Sequence, residues 1–175
     1  MIIKPYKQSL THSCLAACFL MLNKKTFTEN DEQQLALNGS KRTYPLYIVG
    51  IPMEFSTKFK KDLTVHVDNK YFTEVLGKHF IRNKKIKVVH DPITKSLIKD
   101  LLKERSLICH IDDHAIGDYS HASHFIILES VTEKFIQIID PWSGERKKIS
   151  MDTLLAAIKD LKTQVKMCPL LFSIN

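Results

Sequence analysis

The longest apolar run of the chain is CLAACFLML, nine consecutive residues from Cys14 to Leu22, and it constrains the fold more than any other segment. A helix formed by this run is apolar on every side, so the rest of the protein has to surround it. Ser13 belongs to the residue types that cap helix N-termini. We therefore predict an extended entry segment over residues 1–12, followed by a central buried helix from Cys14 to about Asn23.

Length and composition indicate one globular domain that spans residues 1–175. Hydrophobic residues make up 44% of the chain and charged residues 26%, which is ordinary for a protein with a single core. No apolar run approaches the ~20 residues of a transmembrane helix, and the N-terminal MIIKPYKQSL lacks the apolar core of a signal peptide. We expect a cytoplasmic protein, or one that is exported without a cleaved signal peptide.

The chain is basic, with a formal net charge of +7 and a pI near 9.2. Its densest cationic groups are two short runs, Lys58, Lys60 and Lys61, and Arg82, Lys84, Lys85 and Lys87. Neither run is interleaved with stacking aromatic residues, and no nucleic-acid-binding motif accompanies them. A solvated basic face is the expected structure, with no nucleic-acid partner and a weak preference for an acidic protein substrate.

Helix patterns dominate the first half of the chain. TENDEQQLALNG predicts a helix that begins at Thr28, carries acidic residues in its first turn and stops at Gly39. The stretch 40–71 predicts one or two short helices, because three breakers interrupt it, Pro45, Gly50 and Pro52. Residues 72–83 predict another helix.

Strand patterns dominate the second half. Apolar runs bounded by turn residues predict strands over 85–90, 106–111, 124–131, 134–140 and 168–174, and RKKIS (146–150) is predicted to form another strand after the turn PWSGE. Apolar residues at helical spacing predict helices over 93–105 and 150–162. Because the helices come first and an antiparallel sheet follows, the fold class is α+β, with the N-terminal helices packed on that sheet.

Cys14 stands at the helix position where a cysteine gains most as a nucleophile. A thiolate is the attacking species, and the unpaired N–H groups and dipole at a helix N-terminus stabilise its negative charge. Such a cysteine also needs a base, and the base needs an acceptor that orients it. The alternative interpretation of Cys14 is a plain core thiol.

His124 and Asp140 are the candidates for those two roles. His124 begins the apolar strand HFIIL directly after a polar loop, and Asp140 ends the next strand, sixteen residues later. In a hairpin that turns near residues 132 and 133, the two positions are opposite or nearly so, with side chains ~5 Å apart. We predict that His124 is the base and that Asp140 orients it. A hydrogen-bonded strand-edge histidine and a local turn aspartate are the alternatives.

Gln8 is the candidate for stabilising charge on the substrate. An acyl-transfer site needs hydrogen-bond donors where the oxyanion develops. The Gln8 amide and the backbone N–H of Cys14 would provide two such donors, although Gln8 could also be an ordinary surface amide. Trp142 is predicted to pack under the turn that follows Asp140, with a place in a substrate-binding wall as the alternative.

An ordered set of motifs runs from Gln8 to Gly144. It consists of a glutamine, five residues, a cysteine and an apolar helix, and late in the chain of HFIIL followed by DP and a turn glycine. This set resembles the papain-like cysteine peptidases that cleave leader peptides after a double glycine in bacteriocin export. The resemblance implies a papain-like fold and a Cys14–His124–Asp140 triad. It also implies an oxyanion hole that includes Gln8, an activity that needs no cofactor, and a peptide or protein substrate.

The chain also departs from that family. Serine and leucine flank the nucleophile where the family has aspartate and glycine, and Leu15 adds bulk that could narrow access to Cys14. Double-glycine specificity does not follow. The expected function is a cysteine peptidase that acts through an acyl-enzyme; a catalytically inactive peptide-binding module and an acyltransferase with the same triad remain alternatives.

A metal site is a further alternative. HIDDHAIGDYSHASH places seven possible ligands within fifteen residues, His110, Asp112, Asp113, His114, Asp118, His121 and His124. Their spacing matches no zinc motif, and Cys14 and Cys18 have no second cysteine pair to complete one. Cys18, Cys109 and Cys168 are predicted to be buried, inert thiols in a reducing compartment.

Overall fold

A computed structural model describes residues 3–23, 26–43, 46–117 and 120–175. The fold is α+β and has a seven-stranded mixed sheet. The helices are α1 (Cys14–Leu22), α2 (Glu29–Arg42), α3 (Tyr47–Phe59), α4 (Lys70–Phe80), α5 (Lys95–Glu104) and α6 (Met151–Thr163). The strands are β1 (Leu63–Val67), β2 (Ile86–His90), β3 (Leu107–Asp112), β4 (Ser123–Val131), β5 (Ile136–Asp140), β6 (Glu145–Ile149) and β7 (Leu170–Ile174).

The sheet is mixed because β1 and β2 run parallel, with Leu63 paired to Ile86, while the other neighbouring strands are antiparallel. The strand order is β2-β1-β7-β3-β4-β5-β6. The prediction of a purely antiparallel sheet is wrong, since β1 lies in the stretch where only helices were expected. Helix α4 connects the parallel pair, as a crossover between parallel strands requires.

Helices cover both faces of the sheet. Helices α1 to α4 pack on one face, where Phe125, Phe172 and Val65 belong to the same core cluster as the whole of α1. Helices α5 and α6 pack on the other face, against residues such as Ile126 and Leu171. All nine residues of α1 are buried, so the predicted central helix is confirmed.

Two glycines let α2 and α3 cross at close range. A Cβ on Gly39 would lie 2.6 Å from the Cα of Ile51, and one on Gly50 would lie 1.8 Å from the carbonyl oxygen of Gly39. The predicted stop at Gly39 is therefore wrong: α2 continues to Arg42, and α3 runs through both Gly50 and Pro52. Thr28 and Asp31 form a reciprocal cap at the start of α2, as the acidic first turn suggested.

The other predicted helices and strands are present, with ends displaced by three residues or fewer. The β4–β5 connection differs more, because Val131 pairs with Ile136 and the loop is longer than the predicted tight turn. A register shift between Leu128 and Ser130 adds to this difference.

Candidate active site

Cys14 is the first residue of α1 and keeps a small opening to solvent. Its exposed fraction is 7%, whereas Leu15, Ala16 and the residues that follow up to Phe19 are completely buried. Leu15 lies wholly inside the core cluster of α1. The expectation that Leu15 narrows access to Cys14 is therefore wrong, because its side chain points into the core.

The N-terminus of α1 has no side-chain cap. Ser13 precedes the helix, but its hydroxyl donates to the carbonyl of Leu10 at 2.8 Å and accepts from the Leu10 N–H at 3.2 Å. The prediction that the Ser13 side chain caps the helix is wrong. The first-turn N–H groups have no acceptor within the helix, so they remain available to an anion beside Cys14.

His124 and Asp140 meet in the buried part of the site. His124 Nε2 and Asp140 Oδ1 are 2.9 Å apart, and both side chains are almost fully buried. The two residues are not directly opposite, because Ile127 pairs with Ile139 and this register puts Asp140 diagonal to His124. The diagonal distance is still within reach of two side chains that lean toward each other.

Four donors converge on Asp140 and hold it as a carboxylate. Besides His124, the Trp142 N–H donates to Oδ1 at 2.9 Å, while Ser143 Oγ and Lys147 Nζ each donate to Oδ2 at 3.0 Å. Burial alone would raise the pKa of Asp140, but the hydrogen bonds from His124 and Lys147 outweigh it and hold that pKa well below its usual range.

Cys14 and Asp140 act together on the imidazole. Burial lowers the pKa of His124, but the hydrogen bond to Asp140, the interaction with Cys14 and the negative charge of Asp140 outweigh burial and raise it to about 9. Since Asp140 occupies Nε2, Nδ1 is the ring atom left for the Cys14 sulfur. The structure therefore brings Cys14, His124 and Asp140 into one neighbourhood.

Gln8 lies beside this cluster with its amide donors already engaged. Its Nε2 group donates to the carbonyls of Leu10 at 2.7 Å and Thr11 at 3.2 Å. Its buried Oε1 has no hydrogen-bond partner among the described residues. Donation from Gln8 to an oxyanion requires one of these two bonds to be released.

The entry segment is attached to the turn between β5 and β6. The Gln8 N–H donates to the carbonyl of Pro141 at 2.7 Å, and Gly144 adopts a positive φ of 74°. A Cβ on Gly144 would lie 2.9 Å from the backbone nitrogen of Lys7, so only glycine fits here without a shift. The turn glycine thus brings Gln8 and Asp140 into the same neighbourhood. Trp142 is 41% exposed and lines a cavity of about 240 Å³ together with Gln8.

A chain of hydrogen bonds borders these three side chains on another side. His110 Nδ1 donates to the carbonyl of Cys168 at 3.2 Å, and burial lowers the pKa of His110 to about 3, so Nε2 is an acceptor. The Ser123 hydroxyl therefore donates to that nitrogen at 2.7 Å and accepts from the Tyr47 phenol at 3.4 Å. Tyr47 lies close enough to Cys14 for a thiolate there to raise the phenol pKa, after the larger effect of burial.

Tyr47 and His110 also line an apolar cavity of about 390 Å³. Leu46, Phe72 and Met167 form much of its wall, and Lys166 is a cation at its lining. Sequence reasoning missed this cavity and the chain of hydrogen bonds, because the residues come from α3, α4, β3 and the segment before β7. No periodic pattern links such positions.

The histidine-rich loop is held by contacts within the protein. His121 Nδ1 and Asp112 Oδ2 are 2.5 Å apart, and Asp112 Oδ1 accepts from the N–H groups of His114 and Ala122. Within the described ranges, no three histidine, cysteine or acidic side chains are grouped to hold a metal ion. Asp118 of the proposed ligand set lies outside the described residues.

The remaining cysteines differ from Cys14 in their surroundings. All four thiols are unpaired. Burial raises the pKa of Cys18 and of Cys109, and Cys18 donates to the carbonyl of Phe125 at 3.5 Å. Cys168 is only half-buried, which differs from the prediction, and burial raises its pKa to about 11.

No protein-family model matches this chain, and no curated protein matches it either. Along the described residues, none of the helices combines the length and hydrophobicity that crossing a bilayer requires.

Proposed function

We propose that this protein is a papain-like cysteine peptidase in which Cys14 is the nucleophile, His124 the general base and acid, and Asp140 the residue that orients His124. The observation that carries the proposal is the 2.9 Å bond between buried His124 and Asp140, with Cys14 near enough to the same imidazole to help raise its pKa. A nucleophile, its base and an orienting acceptor in one connected cluster are what acyl transfer requires.

The reaction follows from these positions. The Cys14 thiolate attacks the carbonyl carbon of a peptide bond, and a tetrahedral oxyanion forms. His124 carries a proton at neutral pH because its pKa is raised to about 9, and it gives that proton to the leaving amine as the C–N bond breaks. The thioester that remains is attacked by a water molecule, whose proton passes to His124, and the C–S bond then breaks to release the acid.

The oxyanion is stabilised at the beginning of α1. The N–H of Cys14 belongs to the first turn, where neither an intrahelical carbonyl nor the Ser13 side chain takes it up. A good donor at this position contributes about 3 kcal/mol in comparable sites. Gln8 joins as the second donor when its Nε2 group releases the carbonyl of Thr11, the longer of its two bonds.

The apolar cavity beside Tyr47 is the proposed site for a side chain of the substrate. The Tyr47 hydroxyl lies 3.4 Å from the hydroxyl of Ser123, which directly precedes His124, so the cavity begins next to the proposed base. Its wall of Leu46, Phe72 and Met167 favours an aliphatic or aromatic side chain.

Alkylation rates of the four cysteines test the proposal. Solvent exposure predicts that Cys168 reacts before Cys14, whereas activation of the thiol by His124 predicts that Cys14 reacts first. Cys168 is more exposed than Cys14, but its pKa is raised to about 11. With limiting iodoacetamide at neutral pH, we expect Cys14 to be labelled faster than Cys168, with little label on Cys18 and Cys109. Peptide mass spectrometry after timed quenching gives the four rates.

The control for this experiment is His124→Gln, which removes the imidazole and leaves Cys168 untouched. We expect the rate at Cys14 to fall in this variant and the rate at Cys168 to stay the same. Labelling that follows exposure alone, with Cys168 first and no effect of His124→Gln, would contradict catalysis and leave an inactive peptide-binding module of this fold.

Asp140→Asn is expected to lower the pKa of His124 and to leave partial activity. The amide oxygen can still accept from His124 at the Oδ1 position, but an NH2 group replaces the acceptor that Lys147 and Ser143 use. Loss of the negative charge shifts the imidazole titration from about 9 toward its ordinary value of 6.5. Turnover falls on the order of 10²-fold, the lower range for a proton-transfer group.

NMR titration of the His124 ring measures this shift, and Asp112→Asn is the matched control because Asp112 pairs with a different histidine, His121. Since the folded-state pKa of His124 is raised, its stabilising contribution is complete below pH 6.5 and disappears as the pH rises through about 9. The difference in unfolding free energy between wild type and Asp140→Asn should shrink over that window. An unchanged His124 titration in Asp140→Asn would contradict the orienting role.

A further inference from the structure

The fold joins the two basic runs of the sequence at one end of the sheet. One run directly precedes β1, and the other precedes β2 and continues into it at Lys87. These two strands are parallel, with Leu63 paired to Ile86. The Leu63 N–H donates to the carbonyl of Lys85, and Lys85 Nζ lies 3.1 Å from the carboxylate of Asp62. Cations more than twenty residues apart in sequence therefore share one surface.

Most of these cations have no acidic partner. Lys60, Lys61, Arg82 and Lys84 form no ion pair with any residue in the described part of the chain. Asp62, the carboxylate between the two runs, is already engaged by Lys85. The surface is thus an uncompensated positive patch.

A large aliphatic side chain projects from the same surface. Ile81 directly follows α4 and is 77% exposed, which exceeds the exposed fraction of every other large hydrophobic side chain in the described residues. It lies in the turn that leads through Arg82 and Lys84 to β2. We call Lys60, Lys61, Ile81, Arg82 and Lys84 together the basic end.

The basic end and the triad lie at opposite ends of the sheet. Leu63 at the start of β1 pairs with Ile174, whereas Val67 at its end pairs with Leu170. Strand β7 is antiparallel to β3, so the Leu170 end of the sheet is also where β3 ends and where β4 begins, with His124 as its second residue. A five-residue strand separates the two ends by about 17 Å.

We propose that the basic end is a docking surface for an anionic membrane. Clustered Lys and Arg side chains are attracted to acidic headgroups, with an effect of roughly fivefold in affinity for each charge near the surface. The exposed Ile81 enters the boundary between headgroups and acyl chains, as apolar residues of interfacial helices do. This orientation leaves Cys14 and its small opening to solvent facing away from the lipid.

A membrane fits this surface better than a nucleic acid does. Nucleic-acid-binding surfaces combine cations with aromatic side chains on which bases stack. The aromatic residues nearest in sequence are Phe59, which is partly buried in the core, and Phe80, which is 2% exposed. The exposed side chain among the cations is aliphatic.

Vesicle co-sedimentation of the full chain tests the proposal. We expect binding to phosphatidylcholine vesicles that contain phosphatidylserine, weak binding to phosphatidylcholine alone, and release when NaCl rises from ~0.1 M to ~1 M. The pair Arg82→Gln with Lys84→Gln should weaken binding on the order of 20-fold. The matched pair Lys95→Gln with Lys159→Gln removes the same net charge from exposed positions on α5 and α6 and should have a much smaller effect.

Two further measurements separate a docking surface from a general charge effect. Ile81→Ser should weaken binding several-fold, whereas Leu37→Ser, at another exposed aliphatic side chain, should not. Trp142, the single tryptophan of the chain, lies at the end of β5 near the triad, so brominated lipids should not quench its fluorescence in the bound state.

The proposal is overturned if the two double substitutions, Arg82→Gln with Lys84→Gln and Lys95→Gln with Lys159→Gln, weaken binding equally, or if brominated lipids quench the fluorescence of Trp142. Tighter binding to a nucleic-acid oligomer than to the anionic vesicles, with no effect of Ile81→Ser, would likewise overturn it and assign the surface to nucleic acid. None of these readouts depends on peptidase activity, so the docking surface can fail while the proposed catalysis stands, and the reverse.

Discussion

Cys14→Ala is expected to abolish peptide cleavage while the fold persists. Without the sulfur no acyl-enzyme can form, and losing the nucleophile of a triad lowers turnover on the order of 10⁶-fold. Structurally the change is small, because only one partly accessible sulfur at the beginning of α1 is removed and the core residues that follow keep their packing.

Cys18→Ala is the matched control, one helical turn further along the same helix. Cys18 is completely buried and donates to a backbone carbonyl of β4, so its loss costs about 1 kcal/mol of stability without touching the reacting groups. Both variants and the wild type would be incubated with a mixed peptide library, and mass spectrometry would identify new termini. Cleavage that persists in Cys14→Ala with the wild-type product pattern would rule out the mechanism.

Features that depend on local pattern were predictable from the sequence. The uninterrupted apolar run predicted that α1 is buried on all sides, and every residue of that helix is buried. The spacing between His124 and Asp140 placed them on adjacent strands near one sheet end, and the hydrogen bond between them is present even though the loop is longer and the register diagonal.

The errors arose where tertiary contacts override local signals. Glycine is a residue type that often ends a helix, but Gly39 lies inside α2, where its missing side chain allows α2 and α3 to cross at close range. Ser13 is a capping residue by type, yet its hydroxyl bonds to Leu10 instead. Strand β1 had a usable signal, the alternation of apolar and polar residues from Leu63 to Val67, which the neighbouring breakers obscured.

The groups that complete the site could not be read from spacing. Lys147 reaches Asp140 because β6 folds back beside β5, and Tyr47 reaches the Cys14 region because α3 packs across α1. Gly144 was noticed as a turn glycine, but its second role, room for the backbone of Lys7, appears only when the two segments are in contact. Among these contacts, the bond from Lys147 helps to hold Asp140 as a carboxylate. All of them join segments whose contact appears only in the folded chain.

His124→Gln is expected to lower cleavage on the order of 10⁴-fold, because an amide can neither accept the thiol proton nor protonate the leaving amine. The side chain is of similar length and can still donate to Asp140, so the cluster around that carboxylate is kept. The residual rate should also lose the alkaline decline that deprotonation of an imidazole with a pKa of about 9 imposes on the wild type.

His121→Gln is the matched control, since His121 belongs to the same histidine-rich loop and bonds its own carboxylate, Asp112. The triad predicts near-normal cleavage in His121→Gln, whereas a metal site built from this loop predicts that losing either histidine is equally damaging. Rates of product formation across pH for the two variants and the wild type therefore separate the two mechanisms. Equal losses would shift the assignment from His124 to a metal held by the loop, and a large loss confined to His124→Gln would support proton transfer between an imidazole and the sulfur at the start of α1.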